Sequence, residues 1–508
     1  MIGPPTVRTR LMQGALPPPR PRARARARQR TGRELAALSL ATGLACLAAR
    51  DARASGIDAP WVTSGLSGPT TSDAAAVYWN PAELAGVQRP ELVLGAGLIV
   101  GHATYQRERR GTYQTPDTLQ FKLPLDPANV DASKRGRAEE VSTTPIAPTG
   151  NAFLAIPALP NRLTVGVGLY VPYAAALSFQ DGAQRWQLRQ AFIVSTSLTA
   201  AAGLKLTDQV SLGAGVSYVS GLAELSKVQD FGSLKEFHDG LDYLKQDNDF
   251  GPNTPSELRE LDVLARSISI KEALSHGASF HLGLAFNPNK DLRFGLTYQH
   301  SAAMRYKGKF AIDMDHPFFT QDLAEQGLRY KPLVEGDVEL SFTLPKRLTA
   351  GVGYRVNDKL SLDGLLSYVL YSDIEAFVVE ASSPDLAQPK LGITDRVTVT
   401  LPRRWNDTVW AEIGAKYKLS EAFLATASVG YQSAASPDST IDVASPDNHR
   451  LIGDVGGVLK LSDRVSLSGD VRVQGILPRT VTGSDYDLGN GEYSLVLATV
   501  GGHLKFVF

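Results

Sequence analysis

The 508-residue sequence is poor in three things: cysteine, net charge and, past residue 54, long apolar runs. Each shortage removes a class of protein. The one cysteine, Cys46, lies in an apolar N-terminal run, so no disulfide framework and no cysteine-based zinc site is available. It is also a poor lipoprotein anchor, because Gly43-Leu44-Ala45 ahead of it lacks the leading aliphatic residue. With 52 basic and 52 acidic residues there is no overall field to favour nucleic acid. No stretch of 18 apolar residues follows the leader, so no transmembrane helix is expected.

Catalytic signatures are missing as well. The chain has no G-x-S-x-G elbow, no H-E-x-x-H and no Walker loop, and its eight histidines are scattered without metal-ligand spacing. The glycine-rich GAGLIVG at 95–101 lies in an alternating strand with no helix behind it, which argues against phosphate binding. Asp438 with Asp442, or Asp485 with Asp487, could hold calcium, but solvated loop carboxylates are commoner. No enzyme, cofactor or metal site is expected.

The beginning of the chain reads as an address. Residues 1–30 hold arginines and no acidic residue, Leu35–Ala49 is an apolar core of signal-peptide length, and Ala52-Arg53-Ala54 is an A-x-A cleavage site. Export with a cut after Ala54 is expected, and a start codon placed too early accounts for the over-long basic leader. Residues 1–54 are therefore set apart from the fold.

From about residue 91 onward the dominant signal is period-two alternation. In LSGDVRVQG, Leu467, Val471 and Val473 alternate with Ser468, Asp470, Arg472 and Gln474; in TVWAEIGAKYKL, Val409, Ala411 and Ile413 alternate with Trp410 and Glu412. From Phe294 to Ile312 one phase carries Leu296, Tyr298, Met304, Tyr306 and Phe310, and the other Thr297, Arg305, Lys307 and Lys309. Strands this long, with one apolar and one polar face, suit a wall between lipid and a watery lumen. A mean hydropathy of −0.11 fits, because lumenal polar residues dilute the lipid-facing ones.

Connection lengths sharpen this. Short turns near 158–161, 206–209, 287–291, 357–359, 419–421 and 461–464 alternate with long connections near 106–144, 181–186, 230–266, 314–333, 381–404, 433–448 and 480–491. Six short and seven long connections make fourteen strands with both termini on the short-turn side, as bacterial barrels require. The fold expected is all-β: a 14-stranded antiparallel transmembrane β-barrel over 91–508. The last strand, SLVLATVGGHLKFVF, ends on Phe508 and looks like the signal read by the machinery that assembles barrels in the bacterial outer membrane.

The stretch DAAAVYWNPAELAG at 73–86 is too short to span a membrane and too apolar for an open loop. With its surroundings (SGLSGPTTSDAAAVYWNPAELAGVQRPELVLGAGLIV) it resembles the N-terminal region of the FadL family of outer-membrane transporters, in which a small-residue run ends in Asn-Pro-Ala before the first strand. Those residues are Asn80, Pro81 and Ala82 here. YKGKF (306–310) and VELSFTLPKR (338–347) are similar to further family segments, so the likeness extends over nearly all of 55–508.

The resemblance implies a small N-terminal hatch, residues 55–90, plugging the lumen. It also implies passive inward transport of long-chain fatty acids or aromatic hydrocarbons, from a loop capture site to a lumenal pocket and out through a lateral opening in the third strand. That strand, LTVGVGLYVPYAAALSF (163–179), carries Pro172 in its middle, and a mid-strand proline followed by Tyr173 and Ala174 predicts a break in pairing. Pro345, inside a strand read as 334–356, is better explained as a bulge near the rim. For ligand contacts the candidates are Lys307 and Arg305, read as lumenal cations for a carboxylate, with Phe318, Phe319 and Leu323 as an apolar capture site in the 314–333 loop. Lys309, Lys416 and Arg472 share the inward phase, where pairing with Glu412 or Asp470 is the plainer role. The partners expected are a hydrophobic ligand, outer-membrane lipid and lipopolysaccharide, and the barrel assembly machinery through Phe508, with the protein a monomer and no nucleic acid. The rival readings are a general porin for polar solutes and, less favoured, an outer-membrane barrel enzyme.

Overall fold

The computed structural model describes residues 53–54, 58–59, 61–63, 67–109, 112–113, 123–124, 136–230, 265–325, 327–389, 394–485 and 487–508. Nearly all of the leader 1–54, Cys46 with it, and most of the connections expected at 106–144 and 230–266 lie outside the described residues.

Fourteen antiparallel strands close into one barrel. They are β1 (Glu91–Arg109), β2 (Val141–Thr143 and Ile146–Leu159), β3 (Leu163–Ser178), β4 (Gln190–Lys205), β5 (Val210–Asp230) and β6 (Ala265–Phe286). Four interrupted strands follow: β7 (Leu292–Gln299 and Ala302–Asp313), β8 (Leu333–Leu344 and Lys346–Arg355), β9 (Leu360–Leu370 and Ala376–Ser382) and β10 (Arg396–Pro402 and Thr408–Lys418). The set ends with β11 (Phe423–Gln432), β12 (Arg450–Lys460), β13 (Val465–Val481) and β14 (Gly491–Val507). Pairing of β14 with β1, from Glu91↔Val507 to Arg107↔Gly491, shuts the sheet on itself. Closure leaves no bare edge to face hydrocarbon.

Alternation in sequence becomes inside and outside. On β10 Ile413 is 67% exposed and its neighbour Glu412 only 6%. Leu98, Val167, Leu212, Leu282, Leu296, Val429, Val455, Val471 and Val500 point outward in the same way and form the lipid-facing band. Short turns and long loops segregate to opposite ends as the sequence predicts.

The phase expected from Phe294 to Ile312 does not run through. Phe294 and Leu296 are exposed and Thr297 is buried, but beyond the break at His300–Ser301 it is Met304, Tyr306 and Phe310 that are buried. Arg305 and Lys307 then point outward, with side chains 75% and 73% exposed. The neighbouring strand turns over at the same level. Val338, Phe342 and Leu344 are buried before Pro345, while Arg347 and Thr349 are buried after it and Leu348 is exposed. The single strand expected over 334–356 is thus two segments with opposite phase, hinged on the proline. The physical cause is a change of surroundings: on the loop side of these breaks the outer surface carries charge, and the apolar face turns inward onto a cluster at the barrel mouth.

That cluster joins Met304, Tyr306, Phe310, Phe342, Trp405 and Tyr371 to the loop residues Phe318, Phe319 and Leu323. A second apolar cluster brings Ile441 and Val443, from the connection between β11 and β12, against Leu177, Leu188, Tyr105 and Tyr493. The same connection is clamped by arginines. Arg403 donates to Asp442 at 2.5 Å, Arg479 to Asp438 at 3.0 Å, and Arg404 pairs with Asp485. Arginine therefore occupies Asp438, Asp442 and Asp485, three of the four carboxylates weighed above as calcium ligands. Asp447 accepts from the Ala435 and Ser436 amides at 2.9 and 2.8 Å.

Inside the barrel lies the segment 67–90. Ala76–Trp79 form a single helical turn and Pro81–Gly86 a 3-10 helix, with Asn80 extended between them. Asn80 is wholly buried: its Oδ1 caps the second helix by accepting from Ala82 N at 3.1 Å, and its Nδ2 donates to the Pro69 and Leu284 carbonyls. Pro81 occupies the first helical position, where its missing N–H is harmless. Small side chains in the segment are matched by glycines in the wall. A Cβ on Gly213 or Gly283 would overlap the Ala82 nitrogen or the Asn80 Oδ1, and one on Gly203 would stand 2.5 Å from the Pro81 carbonyl oxygen.

Two outcomes follow from this packing. Gly213→Ala should dislodge the Pro81–Ala82 corner and cost about 1–3 kcal/mol, whereas Gly453→Ala, with nothing within 4 Å of the added carbon, should be silent; thermal unfolding of the detergent-solubilised barrel, with protease nicking within 67–90, separates the two. Burial pushes the Asp447 carboxyl up to about 7 from 3.8, against the lowering effect of its amide donors and of Arg450 and Arg479. The folded protein then holds a proton the unfolded chain has lost, so this group's contribution is full below about pH 4 and is lost as pH rises through 7. Asp447→Asn should flatten that part of the stability profile between pH 4 and 7, read as melting temperature against pH.

Candidate functional site

A gap in the wall and a cavity beside it make the candidate site. The ladder between β2 and β3 runs from Leu159↔Leu163 to Ala152↔Leu169 and ends there. Beyond that point β2 stays paired to β1 through Ile146, and β3 stays paired to β4 from Tyr173 to Ser178. Residues 144–151 and 170–177 thus border one another without a ladder, over about 25 Å at strand rise. Above the gap the Thr143 hydroxyl donates to the Ser178 carbonyl and draws the strands together again.

Proline explains the gap on both sides. Pro172 sits in a register shift between Tyr170 and Tyr173 against β4. On β2, the Gly101 amide donates to the Pro145 carbonyl at 2.8 Å, which directs 145, 147 and 149 toward β1 and leaves 146, 148 and 150 facing the gap. Position 148 is proline and has no N–H to offer there. Only one of the two was legible in advance: Pro172 was singled out, and Pro148 in IAPTG was not. The freed backbone of β3 finds another partner, since Ala59 N donates to the Pro172 carbonyl at 3.0 Å and Asp58 bridges Tyr173.

Behind Pro172 a cavity opens between the N-terminal segment and strands β8–β13. Trp61, Trp79, Trp410 and Tyr78 supply its rings, and Trp79 and Trp410 lie with centroids 6.1 Å apart. Arg347, Arg450 and Arg472 supply charge. Arg347 donates to Asp58 at 2.5 Å, and Arg472 grips Glu412 with two bonds of 3.1 and 2.7 Å while Asp454 stands 3.7 Å away. Arg450 donates to the Gln474 amide oxygen at 3.0 Å, and Trp61 Nε1 to Asp470 at 2.9 Å. Such pairing keeps buried guanidiniums solvated by protein, and removal of one partner would strand the other. No group of side chains arranged to hold a metal ion occurs among the described residues.

The residues chosen from sequence scatter. Asn80, Pro81 and Ala82 are buried in the lumenal segment, and Pro172 and Tyr173 border the gap, with Ala174 paired to Val194 of β4. Arg305 and Lys307 are not lumenal: both stand on the outer surface beside Glu339, at 4.0 and 3.5 Å, because of the phase reversal at His300–Ser301. Phe318, Phe319 and Leu323 are fully buried, so they pack their loop into the mouth cluster and offer no exposed capture surface. Arg472 does face inward onto Glu412, and Lys416 reaches Asp363 at 3.2 Å. Of the cavity lining, the sequence points to Pro172, Glu412 and Arg472 but not to Trp61, Trp79, Arg347 or Arg450, and although it places Trp410 on the polar phase of its strand, only the fold brings Trp410 to Trp79 and Arg347.

Comparisons with known proteins agree with this architecture. The model of a family described as outer membrane protein transport protein (OMPP1/FadL/TodX) matches residues 45–489. A putative outer membrane protein of Neisseria meningitidis serogroup B is 23% identical over 397 residues, covering 77% of this chain and 78% of its own. Among solved structures, a FadL homologue of Pseudomonas aeruginosa superposes with a TM-score of 0.68 at 18% identity, covering 89% of this chain and all of that one. The toluene transporter TodX of Pseudomonas putida gives 0.60 at 15% identity, over 90% and 96% of the two chains. A closed barrel of fourteen strands, a segment folded into its lumen and a match spanning most of the sequence lead to one assignment: the chain belongs to the OMPP1/FadL/TodX family of outer-membrane transport proteins.

Proposed function

We propose that this outer-membrane channel carries hydrophobic small molecules inward passively, with the mouth as entrance, the tryptophan-lined cavity as binding site and the β2–β3 gap as lateral exit. One observation carries the reading: the unpaired stretch of wall borders the cavity at Pro172, which belongs to both. A hydrophobic solute leaving sideways enters lipid without crossing the polar, segment-filled lower lumen. Residues 55–90 act as the hatch and 91–508 as the barrel. Segment 1–54 serves as the export leader, and its removal after Ala54 forfeits a two-residue pairing of Arg53–Ala54 with Ala434–Ala435 but keeps the contacts of Asp58 and Ala59. The chain works as a monomer in lipid and lipopolysaccharide, is delivered to the assembly machinery by Phe508, and needs no cofactor.

Uptake by cells expressing the protein tests the route. A Pro148→Val/Pro172→Val variant supplies the missing donors and should slow uptake of a hydrophobic solute severalfold while the barrel still assembles and resists detergent unfolding. Unchanged uptake would rule out the lateral exit. Large open-channel currents from the wild-type protein in planar bilayers would favour a polar-solute porin instead.

A further inference from the structure

Resting on that channel reading, we propose that the cavity selects compounds built as an aromatic ring bearing an anionic or oxygen-acceptor group, in preference to plain hydrocarbons and long alkyl chains. The lining decides this by what each ligand would leave unpaired. Three of the chain's five tryptophans, with Tyr78, present flat rings, and rings are matched best by another ring, edge-on or stacked. Aliphatic lining is sparse, with Val62, Leu365 and Ile452 the main contributors. A long alkyl chain would find few partners of its own kind in this lining.

The polar side of the cavity excludes the unsubstituted hydrocarbon. Trp410 Nε1 is a buried donor with no hydrogen-bond partner among the described residues, on a ring that lines the cavity. Arg347, Arg450 and Arg472 border the same space. Toluene filling it would leave the indole N–H unpaired and would cover guanidiniums with apolar surface. A carboxylate or phenolic oxygen on the ring accepts from Trp410 and meets the guanidiniums in a charge-assisted geometry. A site that hydrogen-bonds a ligand group discriminates strongly against the analogue lacking it, because its own donors are then stranded. Aromatic acids with one or two rings are therefore the class that fits.

Calorimetric titration of the purified protein in detergent micelles with 4-phenylbutyrate, toluene and palmitate tests the proposal without any variant. The aromatic acid should bind at least about tenfold tighter than either of the others. Trp410→Phe keeps the ring and removes the donor, so it should weaken 4-phenylbutyrate about tenfold and tighten toluene, whose stranded-donor penalty it removes. Toluene or palmitate binding as tightly as the acid, or an acid affinity indifferent to Trp410→Phe, would overturn the ring-acid class while the channel reading stands. No binding of any of the three, with no uptake by expressing cells, would overturn the channel reading itself.

Discussion

Hydrocarbon offers a backbone no hydrogen bonds, so every N–H and C=O in a membrane wall must find its partner within the protein. In this chain the requirement is met around the barrel by thirteen neighbouring pairs of strands and by the closing pair β14–β1, and it is relaxed between β2 and β3. Between β2 and β3 the ladder stops, and two prolines remove donors from the facing strands. Pro148 and Pro172 have none, and the carbonyl of Pro172 is answered from within by Ala59. A gap in a membrane wall is tolerable when its residues have little to satisfy. Much else follows from that local relaxation, including the reach of the N-terminal segment to Asp58–Ala59 and the position of the cavity behind it.

Large parts of this architecture were readable before any coordinates. Alternation on β10 and β13 gave the correct inward residues, Glu412 and Arg472, because those strands remain inside one environment along the stretch that was read. Alternating loop lengths gave the strand count and the sides of the membrane. Reading failed where the environment changes along a strand. At His300–Ser301 and Pro345 the barrel passes from lipid to a charged outer rim, the apolar face switches sides, and Arg305 and Lys307 end up outside. Periodicity reports that two faces differ. It does not report which solvent each one meets.

The cavity was illegible for a different reason. Trp61 and Trp79 come from the N-terminal segment and Arg347, Trp410 and Arg450 from three different strands, and no single local motif contains them. Trp79 reaches it only because Asn80 is pinned under the carbonyls of Pro69 and Leu284. Arg347 reaches it because Pro345 reverses the phase of β8. Local chemistry at each position is ordinary, and the site exists only as their meeting point. Neutralised arginines at the mouth and in the lumen show the same economy, since each buried charge is held by a partner from a different strand or loop.

The wall glycines opposite Asn80, Pro81 and Ala82 make the lumenal segment and the barrel a single fitted pair. Each glycine is a notch cut to an atom of the segment, backbone at Gly203 and Gly213 and the Asn80 amide oxygen at Gly283, so neither surface can drift by a methyl group without the other. Exchange of the N-terminal segment alone between distant relatives is then a poor graft, since the notches would stay behind in the wrong wall. A working chimera has to carry its share of β4, β5 and β6 along with the lumenal segment. Inheritance in such proteins should accordingly run in coupled pairs of positions, one in the lumen and one in the sheet.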